Sequence, residues 1–252
     1  MKKAKKTFYN YVQLYNLNNQ MINYKYHHSL RVSDLSVKIS QSLNLAKEQI
    51  NLSALIGLLH DIGRFDQWKK FQSFNDFKTF DHGDYAVWLL FTNNLIRDYL
   101  HETKNDELIK KAIKAHNKKV IPKYYTEEEK LYSKIIRDAD KIDILTAYGG
   151  YFKRTMDQEY SKEVLNLIKE RKTIDTKQTK TTVDDLLVKF AFIYDINFNY
   201  SLKYIYNNDL LGKIINNIQF NDLKIKELLE ELKEEIYLYI KLKEEDKNEE
   251  KV

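Results

Sequence analysis

The residues of this chain that could do chemistry centre on an adjacent pair, His60-Asp61, at the end of the apolar run Leu55-Ile56-Gly57-Leu58-Leu59. Side chains at adjacent helical positions point about 100° apart, so the two can share one ion only if ligands from other helices close its shell. The chain offers His28 upstream and His82, His116 and Asp140 downstream. A histidine among apolar neighbours can also be a satisfied core residue. An aspartate there is harder to accommodate, because a buried carboxylate needs a cation or several donors. A metal ion supplies that compensation, and the two carboxylate oxygens would let Asp61 bridge two ions.

Each remaining candidate has a plain reading beside a chemical one. His28 and Arg31 are three apart and share a helical face; His28 could bind metal with Arg31 within reach of a substrate oxyanion, or it could be a surface histidine on an amphipathic helix. His27 points elsewhere and His101 reads as exposed. Arg64, just past the helix end, is a candidate phosphate contact. In Asp81-His82-Gly83 the aspartate reads as a helix N-cap, His82 as an entry residue and Gly83 as a point of close backbone approach. His116 ends an amphipathic segment, where the helix dipole favours a cation. Asp138, Asp140 and Asp143 fall within six residues of a largely apolar helix. Asp140 and Asp143 share a face, with Asp138 about 200° around from Asp140. Pairing with Arg137 and Lys141 would explain them, but the flanks Ile135, Ile136, Ile142, Ile144 and Leu145 favour a buried, metal-facing Asp140.

These residues need helices to position them, and the composition supplies little else. One proline and six glycines in 252 residues leave few places to break a helix, and helical spacing recurs almost throughout. The expectation is an all-α fold with helices over about Ser29–Ser42, Lys47–Ile62, Asp84–Leu100, Glu107–His116 and Glu127–Tyr148. Asn44 and Gly63 are placed to end the first two in a left-handed conformation, and Pro122 falls in a connection. The stretch Phe65–Asp81 reads as a short helix or a loop over the site, and Gly149-Gly150 as a hinge or sharp turn. More amphipathic helices follow. The last, about Asn221–Leu242, sets Leu228, Leu232 and Ile236 on one face, and the polar tail Lys243–Val252 is expected to fray. With no internal repeat or long linker, the chain reads as a single helical domain over 1–252, its site-bearing core at about 23–148 and a C-terminal helical extension at 149–252.

The hydrophobic fraction of 43% suits a globular core, and the net charge of +5, from 42 basic and 37 acidic residues, describes a mixed surface that does not require nucleic acid. No run of 18 apolar residues marks a membrane span. The basic start leads into Thr7-Phe8-Tyr9-Asn10 and not an apolar stretch, which argues against a secretory signal. The absence of cysteine removes disulfides and thiolate ligands and leaves imidazole and carboxylate; a cytoplasmic location is the simplest expectation. The 19 tyrosines read as compositional bias, not as a binding platform.

The segments His28-Ser29-Leu30-Arg31-Val32, Leu58-Leu59-His60-Asp61-Ile62-Gly63-Arg64 and Asp138-Ala139-Asp140-Lys141-Ile142-Asp143, in this order, resemble the HD-domain superfamily of metal-dependent phosphohydrolases. The match runs from about residue 23 to 148. The resemblance implies an all-α helical bundle with additional C-terminal helices, and an ion held by His28, His60, Asp61 and Asp140. His82 and His116 fit the subset of the superfamily with extra histidines for a second metal or for substrate phosphate. Arg64 stands where the HD-GYP cyclic-dinucleotide diesterases have lysine, and their second signature is absent.

The expected function is hydrolysis of a small phosphorylated substrate, a nucleotide, as phosphomonoester or phosphodiester. Imidazole and carboxylate ligands suit one or two ions of Mn, Fe, Co, Ni or Zn better than Mg alone. A bound water, its pKa lowered toward about 7, would attack phosphorus, and two ions bridged by Asp61 would lie roughly 3.5–4 Å apart. Arg31, Arg64 and Lys141 are candidates to stabilise phosphoryl charge, and Asp138 or Asp143 to orient the water or act as general base. The alternative is a catalytically silent regulatory module that binds metal and nucleotide. A purely structural helical protein with accidental histidines is the third reading.

Overall fold

The computed structural model describes residues 1–150, 154–157 and 159–249. The chain divides into two compact units, residues 1–140 and 141–252. Both are built from helices, so the expected all-α class is what the chain adopts. Among the described residues no helix is long and apolar enough to cross a membrane.

The first unit begins with α1 (Lys2–Val12), which the sequence reading left unassigned. Phe8 and Val12 are fully buried, and the Phe8 ring stacks on Tyr26 and meets Phe65 edge-on. The next helix, α2 (Gln20–Ser42), starts nine residues before the expected Ser29. The reason is a cap: the Asn19 side chain accepts hydrogen bonds from the backbone of Met21 and Ile22 and satisfies donors that a helix start leaves orphaned. His28 therefore lies inside a helix and not ahead of one.

Along α2, Ser29, Ser33, Ser36 and Ser40 form a buried stripe of small residues. Against it packs α3 (Lys47–Leu59). A Cβ on Gly57 would come within 2.7 Å of Ser36 Oγ and 3.0 Å of Ser33 Cα, so glycine is needed for this approach. The Ser33 hydroxyl donates to the Ala54 carbonyl at 2.7 Å, which satisfies it without solvent. Asn44 ends the α2 turn in the left-handed region, φ 54°, as expected.

Two helix ends differ from the sequence reading. The third helix stops at Leu59, not Ile62, and His60–Ile62 form a turn into α4 (Gly63–Phe71). Gly63 is not a left-handed stop; it opens α4. Its role is steric, because a Cβ there would sit 2.9 Å from the His82 carbonyl oxygen. Phe65–Asp81 is thus partly helix and partly loop: α4 ends at left-handed Gln72 and an irregular segment leads to Asp81. The expected single helix Asp84–Leu100 is instead α5 (His82–Val87), a π-helical turn at Trp88–Thr92 and a 3₁₀ turn at Leu95–Asp98. Left-handed Asn94, φ 59°, breaks the run, an excursion that asparagine tolerates better than most residues. The N-cap read at Asp81 is present, its side chain accepting from Asp84 N. Next come α6 (Asp106–Ala115) and α7 (Glu127–Tyr148), with Pro122 in the connection between them.

The second unit contains α8 (Lys162–Lys169), α9 (Thr182–Ala191), α10 (Asn199–Asn207), α11 (Leu210–Asn216) and α12 (Leu223–Glu249). Two-residue strands, β1 (Arg154–Thr155) and β2 (Ile218–Gln219), pair in parallel. Gly149 and Gly150 lie in a turn, with Gly149 N donating to the Leu145 carbonyl. In α12 the buried stripe is Ile225, Leu229, Leu232, Ile236 and Ile240, while Leu228 is only half-buried. This helix also passes the expected end at Leu242 and continues to Glu249. The final residues, 250–252, lie outside the described set.

Candidate metal centre

Four elements of the first unit converge on the Asp61 carboxylate. His28 comes from the middle of α2, His60 and Asp61 from the turn that ends α3, His82 from the first position of α5, and His116 from the end of α6. The two carboxylate oxygens face different partners. Asp61 Oδ2 lies 3.3 Å from His28 Nε2 and 3.6 Å from His60 Nε2. Asp61 Oδ1 lies 3.3 Å from His82 Nε2 and 3.8 Å from His116 Nε2. Asp140, from α7, closes the first group, with Oδ1 3.2 Å from His28 Nε2 and 3.7 Å from His60 Nε2. The four histidines and Asp61 are buried, whereas Asp140 keeps some exposure.

Hydrogen bonds fix which ring nitrogens look inward. His60 Nδ1 is 2.8 Å from the Gly57 carbonyl oxygen and His116 Nδ1 is 2.5 Å from that of Ile113. A carbonyl oxygen only accepts, so each Nδ1 carries the proton and donates it. His82 Nδ1 donates in the same way to Asp76 Oδ2 at 2.5 Å. An imidazole that carries its one proton on Nδ1 leaves the Nε2 lone pair to face the centre. Burial, with the charge of Arg64, pushes the His82 imidazole below its ordinary pKa. Burial, with His82 and His60 nearby, lowers His116 to about 3. His116 is therefore neutral at pH 7, and its Nε2 stands 2.9 Å from that of His82.

The carboxylates remain ionised. Burial alone would raise the Asp61 carboxyl, but the Lys25 ammonium foremost holds it well below the usual range. Asp140 is also held well below the usual carboxylate range against burial, foremost by the neighbouring His28. The outer layer is also ordered. Arg64 donates through Nη1 to Gln67, to the Phe74 carbonyl and to Asp76, at 2.6, 2.7 and 2.7 Å, and its Nε lies 3.6 Å from Asp61 Oδ1. Asn117 Nδ2 donates to Asp81 at 3.0 Å. Arg137 gathers the carbonyls of Ala115 and Lys118 just after α6 and so anchors the segment that bears His116.

The structure thus brings together His28, His60, Asp61, Asp140, His82, His116 and Arg64. The other expected residues stand elsewhere. The Arg31 guanidinium lies 6.0 Å from the centroid of Tyr24, the ring that stacks on His28. Lys141 pairs with Asp195 at 2.7 Å. Asp138 and Asp143 are buried, and among the described residues the clusters of convergent ligand atoms include neither. His101 is exposed, as read from the sequence, and His27, read as pointing elsewhere, is exposed too.

Two residues at the centre escaped the sequence reading. Lys25 places Nζ 2.6 Å from Asp61 Oδ2. Its signal was available, since it precedes His28 by three positions on the same helical face, the argument that singled out Arg31. Asp76 lies in the irregular segment after α4, where no periodicity marks it.

The donor set fits a divalent transition ion. Imidazole Nε2 lone pairs and ionised carboxylate oxygens converge, and second-layer acceptors orient the rings as metal-binding histidines require. The groups His28/His60/Asp140 and His60/Asp61/His116 each place ligand atoms within 4.8 Å of one another. A third group, Asp76/Asp81/His82, already has cations on its carboxylates, Arg64 on Asp76 and Lys118 on Asp81. Residues 26–145 match the family model described as the HD domain. No curated protein and no solved structure is similar enough to count as a match.

Proposed function

Given that the chain belongs to the HD-domain superfamily, we propose that it is a phosphohydrolase for a small phosphorylated substrate, a nucleotide, dependent on divalent transition metal. One observation carries the reading: the two oxygens of a single buried carboxylate, Asp61, face two separate pairs of imidazole Nε2 atoms. That arrangement favours the binuclear form of the site. His28, His60, Asp61 and Asp140 would hold one ion, and His82, His116 and Asp61 the other. Bound metal supplies a nucleophilic water at neutral pH and polarises a phosphoryl oxygen.

The chain's own groups account for the rest. Asp76, Gly57 O and Ile113 O keep His82, His60 and His116 in the ligating tautomer. Arg64, with Nε directed toward the centre and no hydrogen-bond partner for that atom, is assigned to a phosphoryl oxygen as charge develops. Lys141 is engaged by Asp195 and Arg31 lies against Tyr24, so charge stabilisation falls to Arg64. A general base must lie within hydrogen-bond reach of the attacking water; Asp138 and Asp143 keep that role only as an assignment to be tested by Asp138→Asn and Asp143→Asn.

The test is elemental analysis of purified protein coupled to a panel of nucleotides and phosphoesters with added Mn²⁺. Bound transition metal and turnover of at least one member are expected, with both lost in Asp61→Ala. Full activity in metal-free wild-type protein would overturn the mechanism. Tight nucleotide binding without product would favour the regulatory module instead.

A further inference from the structure

Lys25 is the most closely placed cation in the candidate centre and has no part in the scheme above. Its ammonium lies 2.6 Å from Asp61 Oδ2, the oxygen that also faces His28 and His60, and its side chain is only 12% exposed. An ammonium and a metal ion brought to the same carboxylate oxygen repel each other. Metal binding at Asp61 Oδ2 therefore drives Lys25 to withdraw. The surroundings limit where it can go. Lys25 Nζ lies 5.4 Å from the centroid of Phe74, and the Arg64 guanidinium lies 5.6 Å from the same ring. Phe74 is thus a shared aromatic support for two cations that flank opposite oxygens of Asp61.

We propose that Lys25 is a phosphate-binding residue held in reserve on Asp61: its ammonium balances the bridging carboxylate while no ion is bound, and it passes to a phosphoryl oxygen of the substrate, opposite Arg64, when metal takes the carboxylate. The inference rests on the metal-dependent reading of the site. It extends that reading by naming a second phosphate ligand and by making the phosphate site complete only in the metal-loaded protein. Lysine suits the task, since its compact charge on a flexible stem can change partners where a planar guanidinium fixed by several acceptors cannot.

The experiment uses the full chain loaded with Mn²⁺ and inorganic phosphate as the probe, with phosphate affinity measured by calorimetry for wild type, Lys25→Met and Lys25→Arg. Metal content of each protein is measured first. Wild type is expected to bind phosphate only when loaded. Lys25→Met should take up metal as fully as wild type and bind phosphate at least about tenfold more weakly, while Lys25→Arg, which keeps the charge, should recover most of the affinity. Loaded Lys25→Met that binds phosphate like wild type would overturn the inference and leave the metal-dependent reading intact. Wild-type protein that takes up no metal would overturn that reading, and this inference with it.

Discussion

The Asp76–His82 pair shows how far outside the ligand set the centre extends. Asp76 accepts the His82 Nδ1 proton at 2.5 Å and takes a second charge-assisted bond from Arg64 at 2.7 Å. Loss of such an outer acceptor typically costs 10–100-fold in metal affinity. Asp76→Ala is therefore expected to weaken metal binding by about that factor without touching the His28/His60/Asp140 group. A metal titration checks it, as one class of ion is expected to weaken while the other holds. The sequence revealed His82 and not Asp76, and the reason is physical. His82 begins a helix whose N-cap can be read at Asp81, whereas Asp76 sits in backbone with no period, fixed by Gln67, Arg64 and Asn117. Irregular segments take their shape from tertiary partners, which no local pattern reports.

At the scale of elements, two close fits can be tested separately. In the first unit, α3 reaches α2 only because residue 57 lacks a Cβ. Alanine would add about 1 kcal/mol of helix propensity, but overpacking against the backbone of Ser33 and Val32 costs about 1–3 kcal/mol. Gly57→Ala is thus expected to lower the melting temperature and to shift His60, whose proton acceptor is the Gly57 carbonyl. In the second unit, Asp184 is buried and collects four donors: Ser161 N and Oγ, Lys180 N and Thr181 N. Burial alone would raise its carboxyl, yet these bonds hold it below its ordinary value. A carboxylate with a depressed folded-state pKa contributes stability above its unfolded value of about 3.9 and loses it as pH falls through the folded value. Asp184→Ala is expected to cost about 1–3 kcal/mol at neutral pH. Its deficit relative to wild type should shrink as pH drops below about 4, as read by acid unfolding. Helix interiors were legible because 3.6-residue periodicity survives in them. Helix ends were less so: Asn19 capped α2 early, and Gly63, read as a stop, opened α4 because His82 presses on it.

For the whole molecule, the expectation concerns metal removal. A ligand that binds only the folded state stabilises by about 2.7 kcal/mol when free ligand is at 100 times its dissociation constant. For a chain of this size that corresponds to roughly 5–10 °C in melting temperature. Calorimetry with and without chelator is expected to show a shift of that order, growing with metal concentration. A melting point indifferent to both would contradict a metal centre built on four buried elements. The all-α class was legible from one proline, six glycines and pervasive helical spacing. The Gly149-Gly150 break set the start of the C-terminal extension in the sequence, whereas the two compact units divide at residue 140, inside α7.

The imidazoles of His60 and His116 have a further consequence. Each donates to a carbonyl three residues back, Gly57 and Ile113, at the very end of α3 and α6. Those carbonyls belong to the last turn, where backbone amides run short; Ile113 O takes, besides the ring, a long 3.4 Å bond from the His116 amide. The same ring that offers one nitrogen to a metal therefore serves as punctuation for the helix that carries it. Substituting either histidine removes a ligand and a terminator together, so the variant is weakened even in chelator, by about 1 kcal/mol for the lost bond. Asp140→Asn has no such second duty in α7. Comparing these variants without metal separates what the helices need from what the chemistry needs.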